Sequence, residues 1–165
     1  MSIHQIIGAM RQLENWHQEL IELGKAKQKS IIENDSSSLT KLMSAENRLL
    51  KQITKTEELR VEAVAAFLKE KGIRSQLDLT VTELSRLVFD QNDKRDLLEE
   101  RDQLLNSVAE LKKQNEATQQ LIEHSLHFID FSLNLLVGVD EDMIYHKPSD
   151  ASTISNKNSF FDAKA

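Results

Sequence analysis

Apolar residues recur every three or four positions along most of the chain, a spacing that predicts helices rather than strands. The first helix should run to about Glu33, with its apolar side chains on one side. A cluster of short polar side chains over residues 34–38 then predicts a helix end followed by the N-cap of a second helix. The second helix should close at Gly72, after Lys69 and Lys71, whose charges suit the negative end of the helix dipole.

Two further helices are predicted after Gly72. Thr80-Val81-Thr82-Glu83 matches the capping box, and the short helix that it starts should end near Phe89. The longest helix should follow from about Asp93 to Val137, with Gly138 as its natural stop. A seven-residue register predicts a seam along this helix, in which Asn115 either fixes the register through a buried hydrogen bond or faces solvent. The predicted seam residues are Leu97, Leu104, Val108, Leu111, Ile122, Ile129 and Leu136, with Arg101, Asn115, Thr118, Ser125 and Ser132 at the intervening positions.

The pattern as a whole predicts an all-α protein. Its architecture should be an elongated antiparallel helical bundle with coiled-coil-like packing and a long C-terminal helix. Residues 1–138 would form the bundle, and residues 139–165, which are rich in Ser, Asp, Asn and Lys, would form a flexible C-terminal tail. Phe160 and Phe161 in this tail are either chance apolar residues or a short motif that docks on a partner or folds back on the last helix.

The end of the last helix, residues 121–137, is apolar around more of its circumference than a surface helix needs. One set of side chains, here called the aliphatic stripe, comprises Ile122, Leu126, Ile129, Leu133, Leu136 and Val137. A second set, the phenylalanine stripe, comprises Leu121, Phe128, Phe131 and Leu135. Both stripes are apolar enough to serve as core, but the aliphatic stripe continues the seam and is most simply buried. The phenylalanine stripe represents about 6–12 kcal/mol of possible burial, so it is a candidate partner site.

Composition narrows the class of protein. Four Gly, one Pro and 5% aromatic residues favour helices over a sheet. The absence of Cys excludes disulfides, thiolate metal sites and a cysteine nucleophile. A net charge of -6 argues against a nucleic-acid partner. No apolar run reaches the ~18 residues of a membrane span, and residues 1–10 do not match a signal peptide, so we expect a soluble, cytoplasmic protein without membrane insertion.

The sequence does not present a catalytic or metal-binding constellation. A di-metal site in a bundle needs two Glu-x-x-His pairs, and only Glu14 and His17 form one, so His17 is expected to be a surface histidine. His124 and His127 lie near Asp130 but lack a third convergent ligand. A P-loop and a nucleophile elbow are also absent. We therefore expect no enzyme activity, no cofactor and no metal.

Two segments and the tail resemble a known family. Ile32-Glu33-Asn34-Asp35, followed by Leu39, Leu42, Glu46, Leu49-Leu50, Ile53, Glu57 and Arg60, resembles the first helical hairpin of FlgN-type flagellar export chaperones. Lys112-Lys113-Gln114-Asn115, with Leu121-Ile122, Leu126, Phe128-Ile129 and Leu133, is similar to the C-terminal helix of that family. Tyr145, Lys147 and the closing Phe161-Asp162-Ala163-Lys164-Ala165 are similar to the ends of members from Gram-positive bacteria. Tyr145-His146-Lys147-Pro148 departs from the family, in which a glycine-containing turn is more usual.

The resemblance implies a non-enzymatic chaperone for flagellar type III secretion. Its clients would be the hook-filament junction proteins FlgK and FlgL, and it would deliver them to the flagellar export apparatus. In that family the C-terminal helix binds the client, which implies Leu121, Phe128, Phe131, Leu135, Leu126 and Leu133 as client-binding residues. The alternative is a structural coiled-coil protein that uses the same stripe to form a homodimer or larger homo-oligomer.

Overall fold

The structure is a computed structural model that describes residues 2–73 and 79–141, with side chains described up to residue 137. It contains four helices in this part of the chain: α1 (Ser2–Ile32), α2 (Ser36–Glu70), α3 (Val81–Arg86) and α4 (Gln91–Glu141). The all-α prediction with a long C-terminal helix is confirmed. The chain divides into two compact units, Met1–Leu126 and His127–Ala165.

A tight turn joins α1 to α2. Asn34 has a positive φ of 55°, and its N–H donates to the Ile31 carbonyl at 3.2 Å while the Asp35 N–H donates to the Ser30 carbonyl at 2.9 Å. These are the two hydrogen bonds of a Schellman motif, which satisfies carbonyls at the end of α1. The Asp35 carboxylate then accepts the Ser38 N–H at 3.0 Å and caps α2. The predicted helix end and N-cap in this cluster are confirmed.

The hydrophobic core of the first unit lies where the start of α1, the end of α2, α3 and the start of α4 meet. The capping box predicted for α3 is present, with the Thr80 hydroxyl accepting the Glu83 N–H at 3.2 Å and the Glu83 carboxylate accepting the Thr80 N–H at 2.8 Å. α3 ends at Arg86, earlier than predicted, and Leu84 places it in the core. The buried core residues are Ile3, Ile6, Ile7, Met10, Ala63, Phe67, Leu68, Leu84, Val88 and Leu97.

Hydrogen bonds made by side chains fix the directions of the helices in the first unit. α1 and α2 are antiparallel, because Ser2 donates to Glu70 while Lys27 donates to Glu46. α4 runs parallel to α1, and the contacts between them follow the same order along both helices. They join Arg11 with Glu100, Glu14 with Ser107, the Ile21 carbonyl with Gln114, and Gln28 with Thr118.

The seam of α4 is only half as predicted. Leu97, Leu104, Leu111, Thr118 and Ser125 are buried or half-buried, as the register requires. The seam has a second row of residues, which was predicted to lie four residues after each of these positions. In the structure this row lies three residues after them. It consists of Glu100, Ser107, Gln114 and Leu121, whereas Val108, Asn115 and Ile122 are exposed. The prediction failed because three of the four true seam residues are polar. Each of the three makes a hydrogen bond to α1.

Two predictions about the end of the chain have different outcomes. Gly138 does not stop α4, which continues to Glu141; a glycine inside a helix costs only about 1 kcal/mol relative to Ala and does not prevent its continuation. Residues 142–165, which include Phe160 and Phe161, lie outside the described residues. The domain boundary after residue 138 and the flexible tail therefore stay predictions.

Candidate functional site

The second unit contains one helical segment, and the large apolar side chains of its residues 127–137 are all exposed. Both stripes contribute to it, and the exposed fractions of these side chains lie between 50% for Ile129 and 70% for Phe128. The exposed residues are Phe128, Phe131 and Leu135 from the phenylalanine stripe and Ile129, Leu133, Leu136 and Val137 from the aliphatic stripe. This is the longest run of exposed large apolar residues in the part of the chain that the structure describes.

The aliphatic stripe is not core, which corrects the expectation from the seam. Ile129 and Leu136 are exposed in the second unit, and Ile122 is exposed in the first. The expectation placed Ile122, Ile129 and Leu136 in the seam, each four residues after a buried or half-buried position. In the structure, the second row of seam residues lies three residues after those positions, as Leu121 does after Thr118. The question of which stripe faces the core therefore has an unexpected answer in the second unit: neither stripe is buried there.

The two stripes occupy well-separated directions around the helix. With Phe128 at zero and about 100° per residue, the phenylalanine stripe is centred near 330° and the aliphatic stripe near 125°. The apolar arc is therefore roughly 240° wide. His127, Asp130 and Asn134 fill the remaining arc, and all three are exposed.

A serine lies in the narrower of the two gaps between the stripes around the helix. Ser132 lies between Phe128 and Leu136 on the wheel, and its hydroxyl donates to the Phe128 carbonyl at 2.8 Å within the same helix. Because this donor is already satisfied by the backbone, an apolar group can cover Ser132 without leaving the hydroxyl donor unpaired. The serine therefore interrupts the apolar arc only slightly.

The remaining predicted client-binding residues lie at the end of the first unit. Leu126 is exposed, whereas Leu121 is half-buried. Leu121 belongs to the seam of α4, since it follows Glu100, Ser107 and Gln114 at intervals of seven residues. Part of its surface is thus already used within the first unit.

The histidines do not come together with enough ligands for a metal. Within residues 2–73 and 79–141, no group of three His, Asp or Glu side chains has the geometry to hold a metal ion. His17, however, is half-buried and not a surface residue, which corrects the prediction. Its Nδ1 is buried and has no hydrogen-bond partner, and burial lowers the pKa of its imidazole below the usual 6.5.

His17 lines a cleft of about 440 Å³ in the first unit that the sequence did not reveal. The cleft lies between α1, α2 and α4 beside the segment that leads into α3. Leu105 and Val108 of α4 are partly exposed because they border this cleft. Its apolar lining residues are Met10, Leu13, Ile53, Leu79, Val81, Leu104, Leu105 and Val108.

Comparison with known proteins assigns the family. The sequence model of the family described as "FlgN protein" matches residues 1–153. The chain belongs to the FlgN family. It is also 27% identical, over the full length of both chains, to a protein of Bacillus subtilis strain 168 named "Uncharacterized protein YvyG". No solved structure matches.

Membership in the FlgN family supports a role as a flagellar export chaperone, as the resemblance implied. FlgN is a family of chaperones, not of enzymes, and its members bind protein clients during flagellar export. Among the described residues, no helix is both long and apolar enough to cross a membrane.

Proposed function

We propose that this FlgN-family protein is a cytoplasmic chaperone of flagellar type III export that binds the hook-associated proteins FlgK and FlgL. It prevents their premature assembly and delivers them to the export apparatus. Its client-binding residues are Phe128, Phe131, Leu133 and Leu135 in the second unit, together with Leu121 and Leu126 at the end of the first.

The observation that carries this proposal is the exposure of every large apolar side chain in residues 128–137. Such a run is unfavourable in water, so a soluble protein retains it where a partner covers it. An amphipathic client helix that laid its apolar face on these residues would bury them and its own sticky face together. This arrangement explains how binding would keep a client from aggregating, and it needs no nucleotide.

Complex formation with a client tests the proposal. We expect the purified full chain to form a 1:1 complex with FlgK or FlgL and to suppress aggregation of the client, measured by mass from light scattering and by turbidity. Phe128→Asp places a charge in the exposed run and should abolish the complex. Leu59→Asp is the matched control, because Leu59 is also an exposed apolar residue but lies on α2.

Two results would contradict the proposal. One is a client that binds the Phe128→Asp variant as well as the parent chain. The other is a stable homodimer that ignores the client and dissociates on the same substitution, which would support the structural coiled-coil alternative.

A further inference from the structure

The apolar arc of residues 128–137 is too wide for one helix to cover. A helix that packs on a neighbour does so through a stripe of about 100°, and this arc spans roughly 240°. The two stripes are centred roughly 150° apart, so a helix seated on one leaves the other in water. Both stripes are exposed to a similar degree, with Phe131 at 60% and Leu133 at 52%.

The core of the first unit shows how this chain covers a helix on more than one side. Leu97 of α4 is fully buried, and it shares one core with Ile6 of α1 and Phe67 of α2. The described part of the second unit supplies no helix that covers either stripe. Both of the covering helices must therefore come from outside that part.

Charge argues against a second copy of the chain as the cover. Residues 114–146 contain no Lys or Arg, and acidic residues recur among them at Glu116, Glu123, Asp130 and Asp140. Two such segments packed together would place like charges near each other with no cation to pair them. A partner with Lys or Arg beside its apolar stripe would instead pair with Glu123 and Asp130, which border the aliphatic stripe on the side of the polar arc.

We propose that residues 128–137 are enclosed by two amphipathic helices of a single client molecule, one on each stripe. The helix on the aliphatic stripe carries basic residues along the edge that faces Glu123 and Asp130. This inference rests on the proposed function. It adds that the client contributes two helices and that basic residues accompany one of them. The two helices meet over Ser132, where the satisfied hydroxyl leaves no donor unpaired. The polar arc of His127, Asp130 and Asn134 stays in contact with solvent and, at Asp130, with this basic edge.

Single cysteines can test the enclosure, because the chain has no Cys of its own. Phe131→Cys reports on the phenylalanine stripe, Leu133→Cys on the aliphatic stripe, and Asn134→Cys on the polar arc as the control. The measurement is the rate of alkylation by iodoacetamide, for the free chain and for its complex with full-length FlgK. We expect binding to slow alkylation at least tenfold at positions 131 and 133 but less than threefold at position 134, in a complex of 1:1 mass.

The outcomes separate this inference from the proposed function. Protection at only one of positions 131 and 133, or a complex with two copies of this chain for each FlgK, overturns the inference but leaves the client-binding function intact. Protection of either position in the free chain also overturns it, since the chain's own residues 142–165 or a second copy would then be the cover. If FlgK does not bind at all, the proposed function itself fails.

Charge is tested on the same complex. With a basic client edge, the affinity for FlgK should fall at least fivefold between 50 mM and 300 mM NaCl, because salt screens exposed ion pairs. Asp130→Asn should reduce this salt dependence. An affinity that does not change with salt contradicts the basic edge.

Discussion

Gly24 of α1 leaves space for the side chain of Gln114 on α4. A Cβ at this buried position would clash with the side-chain amide of Gln114, which donates to the Ile21 carbonyl at 2.9 Å. The amide therefore occupies the space that the missing side chain leaves. A glycine inside a helix is unfavourable by about 1 kcal/mol, so this contact offsets a real cost.

Gly24→Ala should consequently be coupled to Gln114→Ala. Alone, Gly24→Ala forces the amide out and breaks its hydrogen bond; once Gln114→Ala has removed the amide, the new methyl group has room. We expect the alanine at position 24 to be less favourable by about 1 kcal/mol when Gln114 is present than when it is absent. Urea unfolding of the two single variants and the double variant measures the coupling, and strictly additive free energies would contradict it.

His17 should make the stability of the first unit depend on pH. Burial lowers the pKa of its imidazole, against the opposing effect of Glu14 on α1 and Glu57 on α2. The unfolded chain therefore binds the proton more readily, and the stabilising effect of the neutral ring is lost as the pH falls below about 6.5 towards the folded pKa.

Replacing the imidazole with an apolar side chain of similar size removes this effect. Between pH 7.5 and 5.5 the free energy of unfolding should fall for the parent chain and fall less for His17→Leu. The low pKa values of the capping carboxylates Asp35, Glu83 and Asp90 place their own titration at more acidic pH, outside this window. Equal slopes for the two proteins would show that His17 does not contribute.

At the scale of elements, the tight turn between α1 and α2 depends on one residue with a left-handed backbone conformation. Asn34 holds a φ of 55°, which a side chain with a Cβ adopts at a cost unless it is Asn or Asp. Asn34→Ala should destabilise the protein by about 1 kcal/mol, whereas Asn34→Gly, which accepts the same φ freely, should be neutral or slightly stabilising. The midpoints of thermal unfolding of the two variants measure this difference. Equal midpoints for Asn34→Ala and Asn34→Gly would contradict the role of the backbone conformation.

This turn also shows which parts of the fold the sequence can predict. The Asn34 turn and the Thr80 capping box were predicted because their hydrogen bonds join residues close in the sequence. The seam of α4 was predicted wrongly because it depends on α1: Glu100 and Ser107 are acceptable there only because Arg11 and Glu14 lie opposite. A single sequence does not reveal such long-range pairs.

The candidate site was also predicted only in part. Phe128, Phe131 and Leu135 stand out on the helical wheel as a second apolar stripe, and their exposure agrees with a surface that binds a partner. Leu133 belongs to the aliphatic stripe, and the family resemblance is what implied it. The exposure of Ile129 and Leu136 could not be predicted, since the pattern does not say where the other helices end. The cleft beside His17 was missed because residues from all four helices form it.

At the scale of the whole molecule, each buried apolar residue of the described chain lies in the first unit, and the longest exposed apolar run lies in the second. Substitutions in residues 128–137 should therefore affect binding much more than stability. This separation of folding and binding is the central claim, and it allows charged variants to be used without unfolding the protein.

Calorimetric titration of full-length FlgK into the chain is the most direct test. Burying Phe131 and Leu135 should contribute about 1.5–3 kcal/mol each, so Phe131→Asp with Leu135→Asp should weaken binding at least a hundredfold. The midpoint of thermal unfolding should stay within a few degrees of that of the parent chain, and Leu59→Asp should bind FlgK as the parent chain does. A double variant that is fully folded and binds FlgK with unchanged affinity would contradict the account.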